Sequence, residues 1–171
     1  GCETALLAAN RIPTDIDIIV HDDDFGKVAA VLSSLRRYDN QPETVITGGG
    51  QKVGFVCSGV VGKLGDTDID IMSDASFEVE GKEFPIRLTD YAVDNRLEYK
   101  YGTMQVFLAN PFDTILIKAF MRRGEEQHKF DKTDAQALVA TIEIDQGYKA
   151  KRLQEVGAPE EVLRFLQEVG A

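Results

Sequence analysis

The chain has 171 residues, 43% hydrophobic and 28% charged, with a net charge of -10. That length suits one domain with a real core, or one domain plus a small helical appendage. The acidity excludes an extended nucleic-acid surface, which needs clustered Lys and Arg, but leaves room for a local basic pocket.

The longest apolar runs are only a few residues, so no membrane span is expected, and no signal peptide is visible. Cys2 and Cys57 lack CxxC spacing and a nearby His. Structural zinc and a disulfide framework are therefore not expected, and a cytoplasmic setting is. The first residue is Gly1 rather than Met, so the chain reads as a fragment or a processed product.

Glu3 to Ala9 is rich in Ala and Leu and reads as a short helix that Asn10 closes. Arg11 to Val20 follows as a strand with Asp15 and Asp17 on one face and Ile16, Ile18 and Val20 on the other. Two anions side by side among apolar residues repel and cost desolvation energy unless a cation neutralises them. That strand is the first pointer to a metal.

His21-Asp22-Asp23-Asp24 comes next. The plainer reading is that an Asp caps a helix over 24–37 and the others favour its positive end, rather than ligating metal. Residues 44–57 hold two strand-like runs around Gly48-Gly49-Gly50. These glycines lack the strand–helix context and Lys-Ser/Thr of a P-loop, so a hairpin turn is expected.

Asp66 to Met72 reads as a second strand, with Asp66, Asp68 and Asp70 on one face and Thr67, Ile69 and Ile71 on the other. Strands avoid Asp, so the pattern marks either a solvated edge or a site. Further strand runs fall at 96–101 and 104–108, with a turn at Gly102 and a short helix at 89–93. Asn110-Pro111 opens a helix that Gly124 ends, with Phe112, Ile115, Leu116, Ala119 and Phe120 inward. Helices at 131–142, 146–155 and 159–169 complete the chain. The expected class is α/β (α+β): a mixed sheet flanked by helices over 1–109, and a C-terminal helical region over 110–171 packed on it.

The order of helix, Asp-x-Asp strand, helix, hairpin and second Asp strand resembles the DNA polymerase β-like nucleotidyltransferase superfamily, and within it the minimal and AbiEii-like nucleotidyltransferases. Gly1-Cys2 stands where that family has a glycine pair, and Arg11 and Thr14 precede Asp15-Ile16-Asp17. Asp70-Ile71-Met72 matches its second motif, with Asp68 the alternate. Asn110 to Ala119, containing Lys118, is similar to its third, and Lys129 to Asp134 more loosely to its fourth.

The resemblance implies a mixed-sheet nucleotidyltransferase fold. It also implies transfer of an NMP from an NTP, with ATP the expected one, to a hydroxyl on a protein, an RNA end or a small molecule, releasing pyrophosphate. It implies Asp15, Asp17 and Asp70 as ligands of Mg²⁺ or Mn²⁺, with Asp70 also taking the acceptor's proton. Gly1 and Cys2 would lie near the triphosphate. Arg11 would touch it or pair with an Asp, and Lys118 would neutralise a phosphate or make a salt bridge. Asp131 and Asp134 are expected to cap and fix their helix, and His21 and His128 to be non-catalytic.

Lys100, Lys118, Arg122, Arg123 and Lys129 offer a small basic groove for an RNA end. The alternatives are a degenerate nucleotidyltransferase fold that binds without chemistry, related to toxin–antitoxin systems, and a Ca²⁺ module using Asp22 to Asp24 and Asp66 to Asp74.

Overall fold

The computed structural model describes residues 15–32, 36–48 and 50–171. The helix expected over 3–9, its Asn10 cap, and the candidates Gly1, Cys2 and Arg11 lie outside the described residues.

The described elements are β1 (Asp15–Ile19), α1 (Asp22–Val31), β2 (Arg36–Ile46), β3 (Lys52–Leu64), β4 (Thr67–Val79), β5 (Lys82–Pro85), α2 (Asp90–Asp94), β6 (Leu97–Tyr101) and β7 (Met104–Leu108). Then come α3 (Pro111–Met121), a 3-10 turn at Glu125–Gln127, α4 (Asp131–Thr141), α5 (Gln146–Val156) and α6 (Glu160–Val169). The class is mixed α and β, as expected. The main sheet runs β1-β4-β3-β2, with β5 beside the far half of β4. Only β1 is parallel to its neighbour; the other pairings are antiparallel. None of the described helices is long and apolar enough to cross a membrane.

Three expected boundaries are corrected. The helix read over 24–37 stops at Val31, and Arg36 already pairs with Val61 of β3. Its cap is His21, whose Nδ1 accepts from the Asp23 amide at 3.4 Å, and not an Asp. All three acids sit in the first turn, where the helix dipole favours them. The helix from Pro111 ends at Arg122 in the left-handed conformation, before Gly124.

β4 carries the organising irregularity. Val56 pairs with Ser76 while Ser58 pairs with Ser73, so Asp74 and Ala75 together face one residue of β3. Asp74 adopts φ 49°. Its amide donates to Asp22 Oδ1 at 2.7 Å, and its carboxylate accepts from Arg87 Nε at 2.7 Å. The extra residue flips the side-chain alternation. Ile69 and Ile71 therefore pack with Phe25 of α1 on one face, whereas Phe77 and Val79 pack with the C-terminal helices on the other.

The larger core joins that second face to α3, α4, α5 and α6. Asn110 caps α3 through its side-chain oxygen on the Phe112 amide, with Pro111 at the first position. The inward stripe read from the sequence, Phe112 to Phe120, is fully buried. Phe120 stacks on Phe77 with ring centroids 4.7 Å apart. Each such ring is worth about 2 to 3 kcal/mol of burial.

Tyr148 of α5 donates its hydroxyl to Asp113 of α3 and stacks on Tyr91. Burial first, then the Asp113 charge and the hydrogen bond to it, push the phenol well above its ordinary value. A raised pKa stabilises the fold below the unfolded-state value and is lost as pH climbs above it. Wild-type stability should therefore fall more steeply above about pH 10 than that of Tyr148→Phe, which should cost about 1 kcal/mol at neutral pH. Urea midpoints across that range measure it; parallel curves would show that the phenol ionises in the folded protein as readily as in water.

Candidate functional site

β1 and β4 lie side by side, and their register pairs Asp15 with Asp68 and Asp17 with Asp70. Adjacent strands are ~4.8 Å apart, so these four positions form an acidic ladder on one face. Ile16, Ile69 and Ile71 turn the other way, toward α1. The ladder shares its face with Met72, which packs against the helical core. The acids thus sit on the side of the sheet that the C-terminal helices cover farther along β4. Asp70 is half-buried, while Asp15, Asp17 and Asp68 are exposed.

Asp66, expected on the same strand face, lies instead in the turn with Gly65, whose φ is +64°. The turn forms because β3 pairs with β4 up to Leu64 and Thr67, leaving two residues to reverse the chain. Lys63, at the end of β3, faces Asp68 in register and binds it at 2.9 Å. Asp68 is thus paired with a protein cation, while Asp70 lies in register with Asp17.

The donor set is all oxygen, which suits Mg²⁺ or Mn²⁺. Among the described residues, no three acidic, His or Cys side chains converge closely enough to enclose an ion. Asp15, Asp17 and Asp70, the expected ligands, therefore share a face without being gathered into a closed ion site.

Lys118 is built into a different structure. Its ammonium is 2.8 Å from Asp134 Oδ2 and 3.6 Å from Asp131 Oδ1, and all three side chains are no more than 7% exposed. Asp131 also accepts from the Arg123 backbone N–H at 2.8 Å and from its guanidinium at 3.0 and 3.1 Å. The two acids thus fix α4 against α3. They do not cap α4, whose N-cap is Phe130 with no side-chain bond. Arg122 binds Gln51 Oε1 and the Ala119 carbonyl. Of the five cations read as a basic groove, Lys118, Arg122 and Arg123 are thus held by internal partners.

β2 and β3 form the expected hairpin, with Ile46 opposite Lys52, and the Gly48 amide donates to the Arg122 carbonyl at 2.8 Å.

A second polar centre had no expectation attached to it. Arg152 of α5, 3% exposed, binds Asp113 at 2.8 Å and Glu155 at 2.6 Å. It lies at the base of an open cleft of about 360 Å³ lined by Glu83, Pro85, Arg87, Thr89, Arg152 and Glu155. Spacing held a signal: Tyr148, Arg152 and Val156 recur every four residues, the inward stripe of a helix. An Arg there needs a buried acid, and Asp113 is the one α3 offers.

No protein-family model matches this chain, and no curated protein matches it.

Proposed function

We propose that this protein is a metal-dependent nucleotidyltransferase that moves an NMP from an NTP to a hydroxyl acceptor and releases pyrophosphate, in a cytoplasmic setting. The observation that carries this reading is the parallel β1–β4 register, which sets Asp17 beside Asp70 and Asp15 beside Asp68. Carboxylates on two paired strands are held more precisely than carboxylates on a loop.

In this reading Asp15, Asp17 and Asp70 hold Mg²⁺ or Mn²⁺. The ion supplies charge neutralisation for the triphosphate and for the leaving pyrophosphate. Asp70, the half-buried member, accepts the proton of the incoming hydroxyl. Asp68 stays on Lys63 and frames the site. Lys118 orders α3 against α4; a phosphate contact would require its bond to Asp134 to open. Gly1, Cys2 and Arg11 belong to the triphosphate end by the resemblance. ATP is the first nucleotide to try, and the acceptor is a protein, an RNA end or a small molecule.

The calcium alternative has less support, because its acids lie in the first turn of α1 and on or beside β4 and not in one Gly-containing ligand loop. The degenerate-fold alternative shares the ladder and differs only in turnover.

Calorimetry with each NTP, with and without Mg²⁺, tests the reading on wild type and on Asp15→Asn/Asp17→Asn. The expected result is Mg²⁺-dependent binding that the double variant loses. A folded wild type that binds no NTP overturns it.

A further inference from the structure

The β6–β7 hairpin stands apart from both apolar cores. It forms a two-stranded sheet of its own, and among the described residues no third strand pairs with it. Such a hairpin is marginal alone; three or more strands are needed for independent stability. Yet it exposes Leu97, Tyr99 and Val106, each 37% exposed, on one face and Phe107, 50% exposed, on the other.

Its hydrogen-bonding parity follows from the turn. Tyr101 pairs with Met104, leaving Gly102 and Thr103 as a two-residue loop. Gly102 has φ +59°, which suits the first central position of a type II′ turn. In a two-residue hairpin the flanking pair exchanges both backbone bonds, and the bonded pairs then alternate. Tyr101, Tyr99 and Leu97 therefore direct their N–H and C=O groups toward β7. Glu98 and Lys100 direct theirs outward, onto an open edge.

We infer that this edge pairs antiparallel with the same edge of a second copy, about a two-fold axis at Tyr99. In that register Glu98 faces the partner's Lys100, and Lys100 faces the partner's Glu98. These are the residues whose backbone groups point outward, so each opposed pair also exchanges backbone hydrogen bonds.

Charge selects the register. Centring the axis on Glu98 or Lys100 instead sets like charges face to face, which destabilises a sheet. A lone edge Lys usually discourages pairing; here each Lys meets a Glu. The complementarity matters because two chains of net charge -10 repel overall. The other edge, on β7, offers only Gln105 and Phe107 at its outward positions and has no such complementarity. Pairing through β6 makes a four-stranded sheet and sets Tyr99 beside the partner's Tyr99. One short strand pair buries less than a standard interface, so the dimer is weak and concentration-dependent.

Sedimentation equilibrium over a range of protein concentrations tests this, with circular dichroism as the check on folding. Wild type is expected to approach dimer mass at high concentration. Lys100→Glu and Glu98→Lys each place like charges across the axis and should weaken dimerisation at least about tenfold. An equimolar mixture of the two variants restores opposite charges at every pair and should dimerise again, as should the double charge swap. Wild type that stays monomeric throughout overturns the inference and leaves the edge to another occupant. Single variants that dimerise like wild type, or a mixture that stays monomeric, overturn it equally.

Discussion

If the proposed reaction is this protein's, Asp70→Asn should abolish Mg²⁺-dependent nucleotidyl transfer, a loss of at least about a hundredfold, while the fold holds its stability. Asp70 sits opposite Asp17 on the neighbouring strand, and it is the member of the ladder nearest the core. Asn keeps the shape and one oxygen but loses the charge that would hold a divalent ion and the basicity that would accept a proton in the proposed reaction.

The stability half of the prediction separates site from scaffold. Neighbouring like charges on adjacent strands cost roughly 0.2 to 1 kcal/mol, and Asn keeps the side chain's shape and hydrogen-bonding reach, so the unfolding free energy should change by no more than about 1 kcal/mol. Two measurements decide it: transfer of α-labelled nucleotide, and urea unfolding of both proteins. A variant that transfers as well as wild type would move the reading to the degenerate fold. A variant that unfolds readily would make Asp70 a structural residue.

Lys118→Met should destabilise the protein by about 3 kcal/mol or more, the usual cost of breaking a buried ion pair from one side. The Met keeps the apolar stem between α3 and α4 but takes away the ammonium 2.8 Å from the carboxylate of Asp134, 7% exposed. Asp131 keeps Arg123, so the loss falls mainly on Asp134.

The double variant Lys118→Met/Asp134→Leu should recover most of the loss, because an apolar pair of similar volume suits the interior as well as a salt bridge. Urea midpoints of the three proteins measure it. A cost below about 1 kcal/mol for the single change would mean that water screens the pair in solution. Nucleotide affinity read on the same proteins separates a structural Lys118 from one that reaches a phosphate.

Several elements were legible because their signals are local. Asn110-Pro111 followed by an apolar stripe specifies a helix start and its buried face, and α3 follows it. Asp15-Ile16-Asp17 and Asp68-Ile69-Asp70 alternate with the period of a strand, so their two faces could be assigned before any partner was known. The turn at Gly102 and the short helix before it were equally readable.

Other features are not local, and the sequence could only offer alternatives. The end of α1 was misread because the apolar period runs on past it, while Arg36 gains a ladder of backbone bonds by pairing with β3. Lys118 was open between a phosphate and a salt bridge; the packing of α4 on α3 decided that Asp134 meets it. Arg152 and Asp113 lie 39 residues apart, and only the docking of α5 on α3 joins them.

By itself, then, the sequence determined which positions are acidic, which face of each strand they share, and which helix stripes are apolar. Those follow from backbone periods of 2 and 3.6 residues and from caps. Tertiary structure decided that β1 lies parallel to β4 in the register setting Asp17 beside Asp70, and that one residue at Asp74 turns half of β4 toward the opposite core. Strand pairing and bulges are fixed by contacts between distant segments, whose energies appear only once both surfaces meet.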